Sequence, residues 1–432
     1  MIRSLLIGLW LFAMLMPWQA RAELVIEITG GSEAALPIAV VPFGSEGIPA
    51  TEDISTIIKN DLERSGRFAP LPQQDLISTP HEKSEINFKD WRLLRSEGLL
   101  IGKVSSADGL TYQVQFQLFD VYKSQQLVGK RYQVPASSLR RVAHQISDQI
   151  YQALTGEKGV FSTRLAFVSV LKNAAGKQRY ALQIADSDGA NPRTVLQSKQ
   201  PILSPSWSPE GERLSYVSFE NGRAEVFTQA MQSGKRSSVA SFKGINSAPS
   251  WSPDGKKLAM TLSKGGNAEI YVLDIASQAL SRVTHSSQAI DTEAVWMPNS
   301  QALIFTSDRG GRPQIYKVPA DGGRAERLTF EGLYNASPDI SPDGRYLAMV
   351  HGQKGKFYIA VQDLKSGAVQ VLTEGGKDES PSFAPNGRLI LYATEQKGKG
   401  VLAVVSVDGR FHQRIGDTGI DVREPAWSPI RK

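Results

Sequence analysis

The chain of 432 residues contains no cysteine, which excludes disulfides, thiolate metal sites and a lipid-bearing cysteine behind a leader. Histidine is scarce too. His81, His144, His285, His351 and His412 stand far apart, without the H-x-x-x-H or H-E-x-x-H spacing of a zinc site, so they read as packed or surface residues and no metal is expected. There is no G-x-S-x-G nucleophile elbow, no P-loop and no dinucleotide fingerprint, hence no expected catalytic residue and no cofactor. Lysine and arginine form no run and the formal net charge is a mild +6, which gives little support for nucleic-acid binding. The apolar run at residues 5–16 is too short for a comfortable transmembrane helix, so no membrane insertion is expected.

That run has another reading. Arg3 precedes it, Pro17 ends it and Ala20-Arg21-Ala22 follows, the pattern of a secretory signal cleaved after Ala22. Residues 1–22 are therefore expected to be removed, leaving Glu23 first in a soluble mature protein; losing Arg3 and Arg21 and no acid takes the charge from +6 to +4.

What the sequence has in quantity is one short phrase, met six times. It reads Pro205-Ser-Trp207-Ser-Pro-Glu-Gly211, Pro249-Ser-Trp251-Ser-Pro-Asp-Gly255, Ala294-Val-Trp296-Met-Pro-Asn-Ser300, Pro338-Asp-Ile340-Ser-Pro-Asp-Gly344, Pro381-Ser-Phe383-Ala-Pro-Asn-Gly387 and Pro425-Ala-Trp427-Ser-Pro429. From 207 to 427 the central residues are 44, 45, 44, 43 and 44 apart. A period in that range marks the blades of a β-propeller. After each Pro-(Asp/Glu/Asn)-Gly turn come three apolar runs, for example 214–219, 224–229 and 237–241, so that each unit holds four short antiparallel strands. Proline sets the first turn corner and glycine accepts the positive φ at its end. The large central residue is expected to wedge between blades. Residues 165–170, 180–186 and 193–196 form a unit without a Trp-Ser segment of its own, and the last phrase has no strands after it. Residues 424–432 are thus expected to complete the first blade and close a six-bladed ring spanning 158–432.

Residues 23–157 have a different texture. Strands are expected at 24–28, 38–41, 99–104, 111–120 and 126–134, and helices at 51–64, 87–96 and 138–155, with Thr51 as a possible cap of the first helix and Gly66 and Gly156 as stops. In 111–120 Tyr112, Val114, Phe116 and Leu118 alternate with glutamines, a strand with one buried face. The architecture is thus a small amino-terminal α+β domain followed by an all-β six-bladed propeller closed by its last strand.

A propeller is a binding platform, and the segments leading into each Trp-type strand gather at one mouth of its channel. Paired acids lie there, Asp291/Glu293 and Asp378-Glu379, which also read simply as solvated loop charges. A competing class is a propeller hydrolase, or a sugar- or peptidoglycan-binding ring, with its site in the channel. A propeller accessory of a serine peptidase would need a hydrolase domain of roughly 200 residues, for which the chain has no room.

A leader, a small α+β domain and a ring of P-x-W-S-P-D-G phrases ending on Pro425-Ala-Trp-Ser-Pro429 together resemble the TolB family of the Tol-Pal system, across essentially the whole mature chain. Departures are local: Ser300 stands where other turns have glycine, and Ile340 replaces the aromatic residue. The resemblance implies a non-enzymatic periplasmic protein that binds the lipoprotein Pal at the mouth and is linked to TolA, with TolQ and TolR. Such a protein supports outer-membrane invagination at division and outer-membrane integrity, and colicins are further candidate partners. Carried onto this chain, the Pal-binding candidates are Ile245, Asn246, Ala248, Thr292 and Glu293, then by equivalent position Tyr334, Asn335, Asp378 and Glu379. The TolA-binding candidate is the segment Glu23, Leu24, Val25, Ile26, Glu27, Ile28 and Thr29, mobile across 23–31, with Gly30-Gly31 as its hinge.

Overall fold

The structure, a computed structural model, describes residues 35–172, 176–416 and 419–430. The expected leader and the segment 23–31 lie outside them.

The α+β domain runs β1 (Leu36–Val40), β2 (Gly44–Gly47), α1 (Ile54–Arg64), β3 (Phe68–Pro70), α2 (Phe88–Leu93), β4 (Gly98–Ser106), β5 (Thr111–Asp120), β6 (Gln125–Pro135) and α3 (Leu139–Thr155). The sheet order is β3-β1-β4-β5-β6 with β2 beside β4; β1 is parallel to β3 and β4, and β4, β5 and β6 are antiparallel, giving a mixed sheet. The cap of α1 is Asp53, not Thr51: its carboxylate accepts from the Thr56 amide at 3.1 Å, three residues on, whereas Thr51 sits two residues too early to reach that N–H. The apolar stripe of α1 (Ile54, Ile58, Leu62) and that of α3 (Val142, Ile146, Ile150) cover one sheet face, against Val114, Phe116 and Leu118. Trp91, Leu99, Ile101 and Phe119 fill the other face.

The second domain is six four-stranded antiparallel sheets. Blades 2 to 6 are consecutive in sequence; their innermost strands are Ile202–Trp207, Asn246–Trp251, Asp291–Trp296, Tyr334–Ile340 and Glu379–Phe383. In blade 1 the innermost strand is Asp421–Trp427, paired with Arg164–Lys172 from the start of the ring. Side chains secure that join. Trp427 Nε1 donates to Thr163 Oγ1 at 2.8 Å, and Ser428 Oγ accepts from the Arg164 amide at 2.8 Å. Between blades, Trp207 Nε1 donates to the Ala426 carbonyl at 3.3 Å and Trp296 Nε1 to the Ser250 carbonyl at 3.1 Å. Trp207, Trp251, Trp296, Phe383 and Trp427 are all 3–8% exposed, as expected of wedges. Ser300 keeps the turn of blade 4 by adopting φ 59°, close to the 70–73° of Gly211, Gly255, Gly344 and Gly387. Blade 5 keeps its four strands with Ile340 half-buried.

Deleting residues 424–432 should destabilise the ring by more than the roughly 3–5 kcal/mol expected for Trp427→Ala alone. Thermal unfolding followed by circular dichroism should show an early, broadened transition; an unchanged one would refute closure by this strand.

Candidate functional site

Each innermost strand carries the same irregularity. Three residues before the wedge, Ser204, Ala248, Glu293, Ser337, Ser380 and Glu424 all take the left-handed φ of 47–57°. In every blade the register with the next strand breaks at this point, a β-bulge, and the following residue is proline in five blades and Ala294 in the sixth. Proline has no N–H to lose and tolerates the unpaired position. The six strained residues face the central channel, a cavity of about 530 Å3.

Two of the six are glutamates, three blades apart, and each ties down its neighbour. Glu293 accepts from Ser337 N and Ser337 Oγ, both at 2.9 Å, and from Thr306 Oγ1 at 2.8 Å. Glu424 accepts from the Ser204 amide at 3.1 Å. Burial pushes the Glu424 carboxyl up to about 7, with the charges of Glu379 and Glu293 adding to it and the Ser204 N–H opposing. Asp339, which accepts from the Phe383 amide at 2.7 Å, is pushed up to about 6, again by burial. The channel carboxylates therefore serve as staples between blades.

The expected contact residues all map to the innermost strands and their lead-in loops, but they differ in what they present. Asn246, Asn335 and Asp378 are buried. Asn246 bonds the Phe242 N–H and carbonyl, Asn335 bonds Gln314 and His351, and Asp378 accepts from Thr373, so these three shape their loops from within. Thr292 bonds Thr261 of the preceding blade at 3.2 Å. Ile245 and Glu379 are exposed; Ala248 and Tyr334 are half-buried. Sequence reasoning passed over the exposed apolar side chains Phe242, Ile290, Phe330 and Leu333, which lie in the same lead-in loops. Their signal was available, since an apolar residue off the strand alternation in a connecting loop has no core to enter.

The strands fix the geometry of the two faces. The turns after each wedge lie at the opposite end of the innermost strands from the lead-in loops, and the α+β domain packs on the turn side, against blades 6 and 1. Asn386 donates to the Lys158 carbonyl at 3.2 Å, Arg388 Nε to Glu157 at 2.9 Å, and Gly66 lies so close to Phe411 that a Cβ there would meet it at 2.7 Å. Deeper in the interface is an ion network. His144 of α3 meets Asp61 of α1 at 2.7 Å, Arg64 reaches Asp61 at 2.6 Å and Ser187 of blade 1 at 3.3 Å, and Arg140 pairs with Asp188 and Asp186 of blade 1. His144 Nε2 points toward Asp188 at 4.0 Å. Asp61, His144 and Asp188 lie close enough together to suggest a metal site, but Arg64 and Arg140 already neutralise the two carboxylates, so the cluster reads as an ionic clasp between domains. Burial would lower the His144 pKa; the hydrogen bond and charge of Asp61, with Asp188, outweigh it and raise it, while Arg64 opposes. Asp188 shows the converse. Burial would raise its pKa, but the charges of Arg64, His144 and Arg140 hold it down.

Ring, bulges and channel define a six-bladed propeller, and similar proteins identify its family. Residues 24–127 match the model of the TolB amino-terminal domain and residues 151–431 that of the TolB beta propeller domain. The chain is 62% identical over 408 residues to the Tol-Pal system protein TolB of Nitrosococcus oceani, covering 94% of each chain. It is 46% identical over 429 residues to the TolB of Xanthomonas campestris, covering 98% of this chain and 97% of that one. The crystal structure of TolB from Acinetobacter baumannii superposes with a TM-score of 0.86 at 42% identity, covering 94% of this chain and 100% of that one. The chain belongs to the TolB family: it is a component of the Tol-Pal system and a non-catalytic propeller protein. Among the described residues no helix is long and apolar enough to cross a membrane.

Because the folded-state pKa of His144 lies above its ordinary value of 6.5, the clasp is fully charged below that value and weakens as pH rises through the raised one. The melting temperature should therefore fall as pH rises above about 6.5, and His144→Gln should fall less over the same range. Equal slopes would remove His144 from the clasp.

Proposed function

We propose that this protein works in the periplasm, delivered there by cleavage after Ala22, and that its mouth binds the periplasmic domain of the peptidoglycan-associated lipoprotein Pal. The observation that carries this reading is the set of apolar side chains in the lead-in loops. Phe242, Ile245, Ile290, Phe330 and Leu333 are 36–72% exposed on a scaffold whose blades are stapled together. Keeping such surface wet is unfavourable at about 25 cal/mol per Å2, and a partner that covers it recovers that free energy. Ile245, Thr292, Glu293, Tyr334 and Glu379 are the direct contacts of this reading, with Ala248 beneath them. Asn246, Asn335 and Asp378 act by holding the loop shapes.

The segment Glu23–Thr29 is the second binding element and engages TolA. Residues 35 and 36, where the described chain begins, line an interdomain cavity of about 740 Å3 together with Arg67, Phe68, Arg388 and Phe411. A segment emerging there feels any change in how the domains meet. Occupation of the mouth would shift the blades, the clasp at His144 and Asp188 would transmit that shift, and the balance between a docked and a released segment would follow. In this scheme Pal and TolA binding are linked, and the pair supports outer-membrane invagination during division and outer-membrane integrity. Colicins are further candidate partners.

Titration calorimetry tests both arms. Ile245→Asp should weaken binding of the Pal periplasmic domain roughly tenfold or more without altering the melting temperature. A chain lacking residues 23–30 should lose TolA binding and keep the ring. Unchanged Pal affinity in Ile245→Asp would remove the lead-in loops from the site, and TolA binding by the truncated chain would remove the segment.

A further inference from the structure

The mouth is not uniform around its circumference. On blades 2, 3 and 4 most charges of the hairpins that join the second and third strands are matched or covered, with Arg312 of the blade 4 hairpin and Lys243 of the blade 3 lead-in loop the exposed exceptions. Arg223 pairs with Glu225, Arg309 with Asp291, and Lys264 lies over the rings of Phe242 and Tyr271. On blades 5, 6 and 1 they are not. Lys354 and Lys356 of blade 5, Lys397 of blade 6, Lys172 and Arg179 of blade 1 and Lys199 in the next lead-in loop are all exposed, and no described carboxylate pairs with any of them. The arc also carries acids: Glu395, matched by Lys377 at 2.6 Å, and the exposed Glu374 and Glu379.

The hairpins of blades 5 and 6 show that the lysines are not incidental. Both read Gln-Lys-Gly-Lys, residues 353–356 and 396–399, and both close by pairing the glutamine with the second lysine. Lys354 and Lys397 occupy the first corner with φ 52° and 50°, followed by Gly355 and Gly398 at 77° and 78°. A two-residue turn with positive φ at both corners favours Asn-Gly or Asp-Gly. Lysine at that corner gives up the local hydrogen bonds of asparagine and accepts a left-handed backbone that ordinary side chains avoid. Edge protection does not explain it, since both strands of each hairpin are interior to their sheet. An exposed cation kept at a strained corner, on the lead-in face and twice over, is the kind of feature from which a role in recognition can be inferred.

We propose that the arc of lysines on blades 5, 6 and 1 docks an acidic face of the protein bound at the mouth and steers its approach, while the apolar loops of blades 3 to 5 hold it once docked. This rests on the reading of the mouth as the Pal platform. Steering by opposite charge raises association rates strongly at low salt and fades as the screening length falls from about 30 Å at 0.01 M to about 8 Å at 0.15 M. Lysine suits this role, being a flexible point charge rather than a fixed fork.

The experiment compares the mature chain with Lys354→Glu/Lys397→Glu, and with Lys256→Glu/Lys257→Glu on the opposite face, which changes net charge by the same amount. Stopped-flow association with the Pal periplasmic domain at low salt should slow about tenfold or more in the first variant, with a flatter salt dependence and little change in dissociation rate, and should change far less in the second. Equal slowing in the two variants would reduce the effect to net charge and overturn the proposal. A fluorescein-labelled hexa-aspartate peptide provides an arm independent of Pal. It should bind the mature chain and the Lys256/Lys257 variant at low salt and lose affinity for the Lys354/Lys397 variant. If the Pal domain fails to bind the mature chain but the peptide behaves as stated, the platform reading fails and the anion-docking arc stands. If the peptide binds all three chains alike, the arc itself is refuted.

Discussion

Residues 421–427 pair with residues 164–172 across more than half of the chain, and the order of the remaining ring follows from that pairing. Each blade buries one flank on its neighbour, so an open ring would leave two apolar flanks and two sheet edges in water. Side chains and backbone both make the junction: Trp427 Nε1 donates to Thr163, and Ser428 bonds both the amide and the carbonyl of Arg164. Since Thr163 follows directly on the linker from α3, the same junction anchors the α+β domain beside blades 6 and 1. Ring closure and domain placement thus share a few residues, which makes the amino-terminal domain sensitive to strain in the ring.

Closure also sets the mouth. Six innermost strands converge on one axis, and each relieves the crowding by a bulge with a left-handed residue, five of them before proline. Two of these positions carry glutamates that bond the bulge amide of the next blade, Glu293 to Ser337 and Glu424 to Ser204. The scaffold beneath the lead-in loops is consequently tied blade to blade, so that a displacement of one is passed to the next, and loops of differing sequence can be mounted on it. Exposed apolar side chains gather on blades 3 to 5 and most of the unpaired cations on blades 5, 6 and 1, the two meeting on blade 5. In the reading proposed here the first holds a partner and the second guides it in.

Much of this was legible in the sequence, for identifiable reasons. The 43- to 45-residue spacing, the Pro-Asp-Gly turns and the wedge residues report local chemistry repeated six times, and the closing strand follows from counting strands at the two ends. The helix cap was misplaced because Thr51 and Asp53 both have capping side chains and only the three-dimensional position of the Thr56 amide decides between them. Among the expected contact residues, sequence could place Asn246, Asn335 and Asp378 in the correct loops but could not show that they face inward. The bulges were invisible because nothing in Ser, Ala or Glu announces a positive φ. The clasp was equally hidden: Asp61, His144 and Asp188 are far apart in the chain, and only the packing of α1 and α3 on blade 1 brings them together.

The central claim is that the lead-in face, and not the turn face, is where the partner sits. Hydrogen exchange measured on the mature chain with and without the Pal periplasmic domain tests it most directly. The account predicts slowed exchange confined to residues 242–248, 289–293 and 330–337 and the hairpins 353–356 and 396–399, with smaller changes at the domain contact. Protection centred on the turns after the wedges, such as 208–212 and 252–256, with the lead-in loops unaffected, would contradict it.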